Sequence, residues 1–167
     1  MQKITPMLWF DTQAEEAANL YIDVFSKRPG SDHGKSQVVS VSRYSEVGPG
    51  PAGSVMVVEF ELEGQPFTGL NGGQQQFGFN EAISFVVNCE SQEEVDYFWD
   101  ALSSNGGEES VCGWLKDRYG VSWQITPTGM DEMLSSPNQE GAKRAMEAML
   151  GMKKIDLAEL QRAFDGA

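Results

Sequence analysis

Two amphipathic segments recur 78 positions apart along this chain, and they limit its fold more than any other feature. Ala17, Leu20, Tyr21 and Val24 fall at helical spacing, and Val95, Phe98, Trp99 and Leu102 repeat them. Each set follows a Ser/Thr-x-x-Glu capping box: Thr12-Gln13-Ala14-Glu15 and Ser91-Gln92-Glu93-Glu94. The two boxes lie 79 apart, so the match slips by one residue. Self-similarity at such a period argues for duplication of one supersecondary unit.

The flanking segments complete the unit. Met1–Phe10 and Ala82–Asn88 read as strands ahead of the two helices, which Pro29-Gly30 and Asn105-Gly106-Gly107 stop. After the first helix come Gln37–Tyr44, Val55–Leu62 and Phe67–Asn71. After the second come a short strand near Glu108–Ser110, then Val111–Lys116 and Val121–Thr126. These last two flank Asp117-Arg118-Tyr119-Gly120, a hairpin turn whose symmetric closure would set Trp114 opposite Trp123. That register places Leu115 and Gln124 on one face. The fold class is α+β.

Beyond Pro127 the composition shifts. Ser136 as N-cap with Pro137 at the first helical position opens a helix to Leu150, with Gly151 as its stop, and Asp156 caps a last helix carrying Leu157, Leu160 and Phe164. Met130, Met133, Met146, Met149 and Met152 make this tail rich in adaptable apolar side chains. It packs on its own domain or forms a homodimer contact.

The charge balance bears on partners. Twelve Lys and Arg against 25 Asp and Glu give a net charge of -13, a field that repels phosphate backbones and anionic lipid. Nucleic acid and membrane partners are therefore not expected. The start MQKITPMLWF lacks a charged leader before an apolar run, and a cytoplasmic location is the default expectation.

Few side chains suggest chemistry. His33 is the single histidine, which rules out an HExxH or two-histidine iron site within one chain. No GxSxG, GxGxxG or CxxC is present. Cys112 falls on an expected strand as an inert thiol, and Glu59, Glu61 and Glu63 alternate on one strand as a solvated carboxylate row. The better lead is aromatic and apolar: Met7 and Trp9, with Thr5 on the same strand face, and Leu115 with Gln124. With Asn71, these make the expected ligand-binding set: Thr5, Met7, Trp9, Asn71, Leu115 and Gln124.

The stretches ITPMLWFDTQAEEAANLYIDVF, FELEGQPFTGLNGG, AISFVVNCESQEEVDYFWDAL and CGWLKDRYGVSWQITPTGM resemble PhnB-like proteins of the vicinal-oxygen-chelate superfamily, the glyoxalase and bleomycin-resistance group. The resemblance covers about residues 3–130 and implies paired βαβββ modules, a glyoxalase-like fold whose sheets curl around a cleft. It divides the chain into a domain over 1–130, with modules at about 1–73 and 80–128, and a helical tail over 131–167. It also implies a homodimer. Metal-using members ligate from positions that correspond here to Thr5, about Gly69, Ala82 and Gln124. That set lacks His and Glu, so no metal or other cofactor is expected. The reading is a metal-free protein binding a small molecule. The alternatives are an enzyme using Asp117, Tyr119 or Cys112 on a carbonyl or quinone-like substrate, and a drug-sequestering protein. Relatives of this type carry a demethylubiquinone methyltransferase label, for which the sequence shows no methyl-donor site.

Overall fold

The computed structural model describes residues 3–30 and 34–167. His33 lies outside them. The chain forms two compact units, Met1–Gly78 and Phe79–Ala167.

In the first unit, β1 (Met7–Phe10) leads into α1 (Ala14–Ser26), and β2 (Gln37–Arg43), β3 (Val55–Leu62) and β4 (Gln65–Asn71) follow. The sheet order is β1-β4-β3-β2, with β1 parallel to β4 and the other pairs antiparallel. Alternation decides what faces the helix. Leu8 and Phe10 of β1 are buried with Val58, Phe60 and Phe67, while Met7 and Trp9 point the other way. Ala17, Tyr21 and Val24 of α1 meet this buried face as the spacing requires, but Ala14 and Ala18 complete the stripe and Leu20 is only half-buried. Small residues bring the backbones close: a Cβ on Gly69 would lie 3.2 Å from that of Ala14.

The second unit repeats the plan. Here β5 (Phe85–Cys89), α2 (Gln92–Ser103), β6 (Glu108–Glu109), β7 (Trp114–Lys116) and β8 (Ser122–Pro127) give the order β5-β8-β7-β6, again with one parallel pair. Val95, Phe98, Trp99 and Leu102 of α2 are buried, as are Val87, Leu115, Trp123 and Ile125 of the sheet. Both halves are thus βαβββ modules.

Several local expectations change. The first strand begins at Met7, so Thr5 precedes it. Thr12 does not cap α1; the N-cap position is Gln13, which makes no side-chain cap. Cys112 is not in a strand but in a turn, with φ at 57°, and β7 starts two residues later. The hairpin closes one residue off symmetry, pairing Trp114 with Gln124 and Leu115 with Trp123. Its cause is the loop: Asp117 N–H donates to Val121 O, leaving three loop residues that end on Gly120 at φ 87°.

The tail adds α3 (Thr128–Leu134), α4 (Gln139–Gly151) and α5 (Leu157–Asp165). Asn138 rather than Ser136 caps α4, its Oδ1 accepting from Gly141 N at 3.1 Å. The Asp156 cap on α5 forms as expected, accepting from Glu159 N at 2.8 Å. Met130, Met152, Ile155 and Leu160 make a buried cluster of their own. The segment between α4 and α5 runs against the second unit's module: Gln92 donates from Nε2 to Ile155 O and accepts from Leu157 N. No helix among the described residues is long and apolar enough to cross a membrane.

Candidate functional site

A sheet covered by helix on one side presents its other side to small molecules or partners. In the first unit that open side carries Met7, 60% exposed, and Trp9, 38% exposed. Trp9 does not swing freely. Its Nε1 donates to Gly73 O at 3.0 Å, Phe77 meets its ring edge-on at 5.5 Å, and its indole fills the space where Gly72 would carry a Cβ. Thr5 is exposed ahead of the strand.

Asn71 serves the fold. Its Oδ1 accepts from Ala14 N at 2.8 Å, its Nδ2 donates to Val55 O at 3.1 Å, and its own carbonyl accepts from Tyr44 Oη at 2.6 Å. It caps α1 from a strand 57 residues away, doing the work expected of Thr12. Asn71 also lines a cavity of about 380 Å³, together with Asp11, Thr12, Glu15, Tyr44 and Gly72 among others.

In the second unit the shifted register separates two residues expected side by side. Leu115, 1% exposed, packs under the sheet opposite Trp123, whereas Gln124 shares the open face with Trp114. The two cannot line one wall. Gln124 donates from Nε2 to Ser84 Oγ at 2.9 Å and stands beside Val86, which is half-exposed on the parallel partner strand. Lys116 pairs with Glu81, and the hydrogen bond between them holds the ammonium above and the carboxyl below its ordinary range. A cavity of about 430 Å³ opens here, bounded by Glu81, the Glu108–Cys112 stretch, Trp114, Leu115, Lys116 and Ser122.

Asp117 is 3% exposed and fully engaged: Oδ1 accepts from Tyr119 N and Val121 N, and Oδ2 from Trp123 Nε1 at 2.8 Å. It organises the hairpin turn.

The donor set does not suit a divalent metal. Gly69 faces Ala14 on the helix side, so its open-face neighbours are Thr68 and Leu70, and neither is a carboxylate or imidazole. Ala82 lies in the loop before β5. Glu59 accepts from Ser40, Glu61 from Gln37, and Glu63 pairs with Arg28. Among the described residues, no three His, Cys, Asp or Glu side chains converge.

Family comparison bears on the same residues. A family model described as 3-demethylubiquinone-9 3-methyltransferase matches residues 2–126. The chain belongs to this PhnB-like family. The PhnB protein from Bacillus cereus is 38% identical, with a TM-score of 0.66 over 76% of this chain and 100% of that one. The structure of PA1353 from Pseudomonas aeruginosa, 19% identical, shares the fold at a TM-score of 0.58 over 76% and 98% of the two chains. No curated protein matches. The fold is therefore of the glyoxalase type, as the resemblance implied. The family match ends one residue short of Pro127, so α3, α4 and α5 lie outside it.

Ser122 and the turn at Cys112 escaped sequence reasoning. The one signal was Val121-Ser122-Trp123, a hydroxyl between two large apolar side chains at the start of a strand.

Proposed function

We propose that this PhnB-like chain binds a small organic molecule on the open sheet faces of its units, works without a resident divalent cation, and forms a homodimer. Thr5, Met7 and Trp9 contribute on the first unit's face and Gln124 on the second's. The observation that carries the reading is the character of these faces: an anchored but exposed indole and thioether on one, a neutral amide on the other, and no ligating set on either. Apolar surface with few oriented polar groups suits a small ligand, and water outcompetes a lone amide for a divalent ion.

The methyl transfer named in the family description is not carried over. Neither sheet is the doubly wound parallel type whose strand ends and helix N-termini cradle a nucleotide-like donor. The test is native mass spectrometry of the full chain purified without chelators. A metal-free dimer with a co-purifying small molecule is the expected result, and near-stoichiometric first-row metal would overturn the metal-free reading.

A further inference from the structure

The tripeptide Asn-Gly-Gly occurs twice, at Asn71-Gly72-Gly73 and at Asn105-Gly106-Gly107. Asparagine before glycine is intrinsically reactive, because glycine has no Cβ to hinder its own amide nitrogen as it approaches the asparagine side chain. The two copies share their local chemistry, so the fold decides which of them reacts.

The first copy is locked. Asn71 is 7% exposed, its Oδ1 accepts from Ala14 N and its Nδ2 donates to Val55 O. The nitrogen that would attack it, Gly72 N, donates to Phe10 O at 3.0 Å. The second copy is open. Asn105 and Gly106 are both exposed, just past the Ser104 cap of α2. Asn105 holds φ at 55°, the left-handed conformation that asparagine tolerates at a helix end. Its Nδ2 donates to the adjacent Ser104 Oγ at 3.2 Å, and among the described residues no hydrogen bond engages the Gly106 amide.

We infer that Asn105 is a spontaneous modification site. Gly106 N attacks Asn105 Cγ, the Cγ–Nδ2 bond breaks, and the Gly106 amide proton leaves with the NH2 group as ammonia. One water then opens the cyclic imide. Opening at Cγ leaves aspartate; opening at the main-chain carbonyl leaves isoaspartate, with the main chain now running through Cβ and Cγ. Either product sets a negative charge at the C-terminus of α2, the end that disfavours it. Isoaspartate also lengthens the main chain by one carbon just ahead of β6. Gly107 cannot give way, since a Cβ there would lie 2.7 Å from Ser103 O and 2.8 Å from Lys116 O. The added length therefore displaces β6, whose Glu109 accepts from Trp99 Nε1 at 3.0 Å and from Lys153 Nζ at 3.3 Å.

The test is peptide-mapping mass spectrometry of the full chain, aged in mildly alkaline heavy-oxygen water, both folded and in urea. In urea the two asparagines should convert at similar rates. In the folded chain Asn105 should convert and Asn71 should lag it by about 100-fold, because Asn71 must first break the hydrogen bonds that hold it and Gly72. Equal rates in the folded chain, or an intact Asn105 there after the unfolded chain has converted, would overturn the inference. In NMR spectra of the isoaspartate form, the Trp99 indole N–H and Glu109 amide signals should move, while Asn105→Gln aged alike should keep them. Unmoved signals in that form would overturn the displacement of β6.

Discussion

The two modules solve the same problem at their helix N-termini by different means. In the second, Ser91 accepts from Glu94 N at 3.2 Å and Glu94 returns to Glu90 N at 2.6 Å, so the cap is made within five residues. In the first, the cap arrives from Asn71 at the end of the sheet, and the same amide also ties β4 to Val55 at the start of β3. A local cap stabilises a helix; a distant one makes helix and sheet depend on each other. Module one should therefore lose more from a single side chain than module two.

Asn71→Ala should show the largest effect, since it orphans a buried N–H and a carbonyl together. A loss of about 3 kcal/mol in urea unfolding is expected, within the range of a cap plus an unsatisfied buried group. Asn71→Asp keeps the acceptor, and places a negative charge at a helix N-terminus, but cannot donate to Val55. It should cost roughly half as much, and a loss equal to that of alanine would mean that the Val55 bond carries the whole effect. Ser91→Ala should cost about 1 kcal/mol, the usual worth of one N-cap, and a value matching Asn71→Ala would erase the contrast.

The smallest effect concerns the tail. Lys154 Nζ lies 2.7 Å from Asp96 on α2, and this contact holds the Asp96 carboxyl below its ordinary range and the Lys154 ammonium above. The Asp96 contribution is present above its unfolded pKa and is lost as pH falls through the lowered folded value. The Lys154 contribution is present below its unfolded pKa and is lost as pH rises through the raised folded value. Both side chains are more than a third exposed, so solvent screens the pair to under about 1 kcal/mol. Asp96→Asn should flatten the acid limb of the stability–pH curve slightly and remove its salt dependence there.

What was legible in the chain was whatever depends on near neighbours. The repeat, the α2 stripe, the Ser91 and Asp156 caps and the order of strands and helices within the two modules follow from spacing over a few residues, whereas α3 was not legible. The Asn71 cap was not legible because its partner, Ala14, lies far off in sequence, while Thr12 offered a plausible local substitute. The hairpin register turned on whether Asp117 belonged to the loop. Its carboxylate gathers the Tyr119 and Val121 amides, and Gly120 absorbs the extra residue, a one-step change that moves Leu115 under the sheet. The open faces were half legible: Met7, Trp9 and Gln124 stand on them, while Leu115 pairs with Trp123 and Asn71 caps α1, each at the edge of a cavity.

The hydrogen bonds from Cys112 and Gly113 to Met152 and Lys153 also order events during synthesis. The strands and helix of the second module can assemble once β8 has emerged. The left-handed turn beside its cavity waits for residues 40 positions further along. A nascent chain that has exposed β8 thus has a framed but unfinished turn, completed only when Met152 and Lys153 follow.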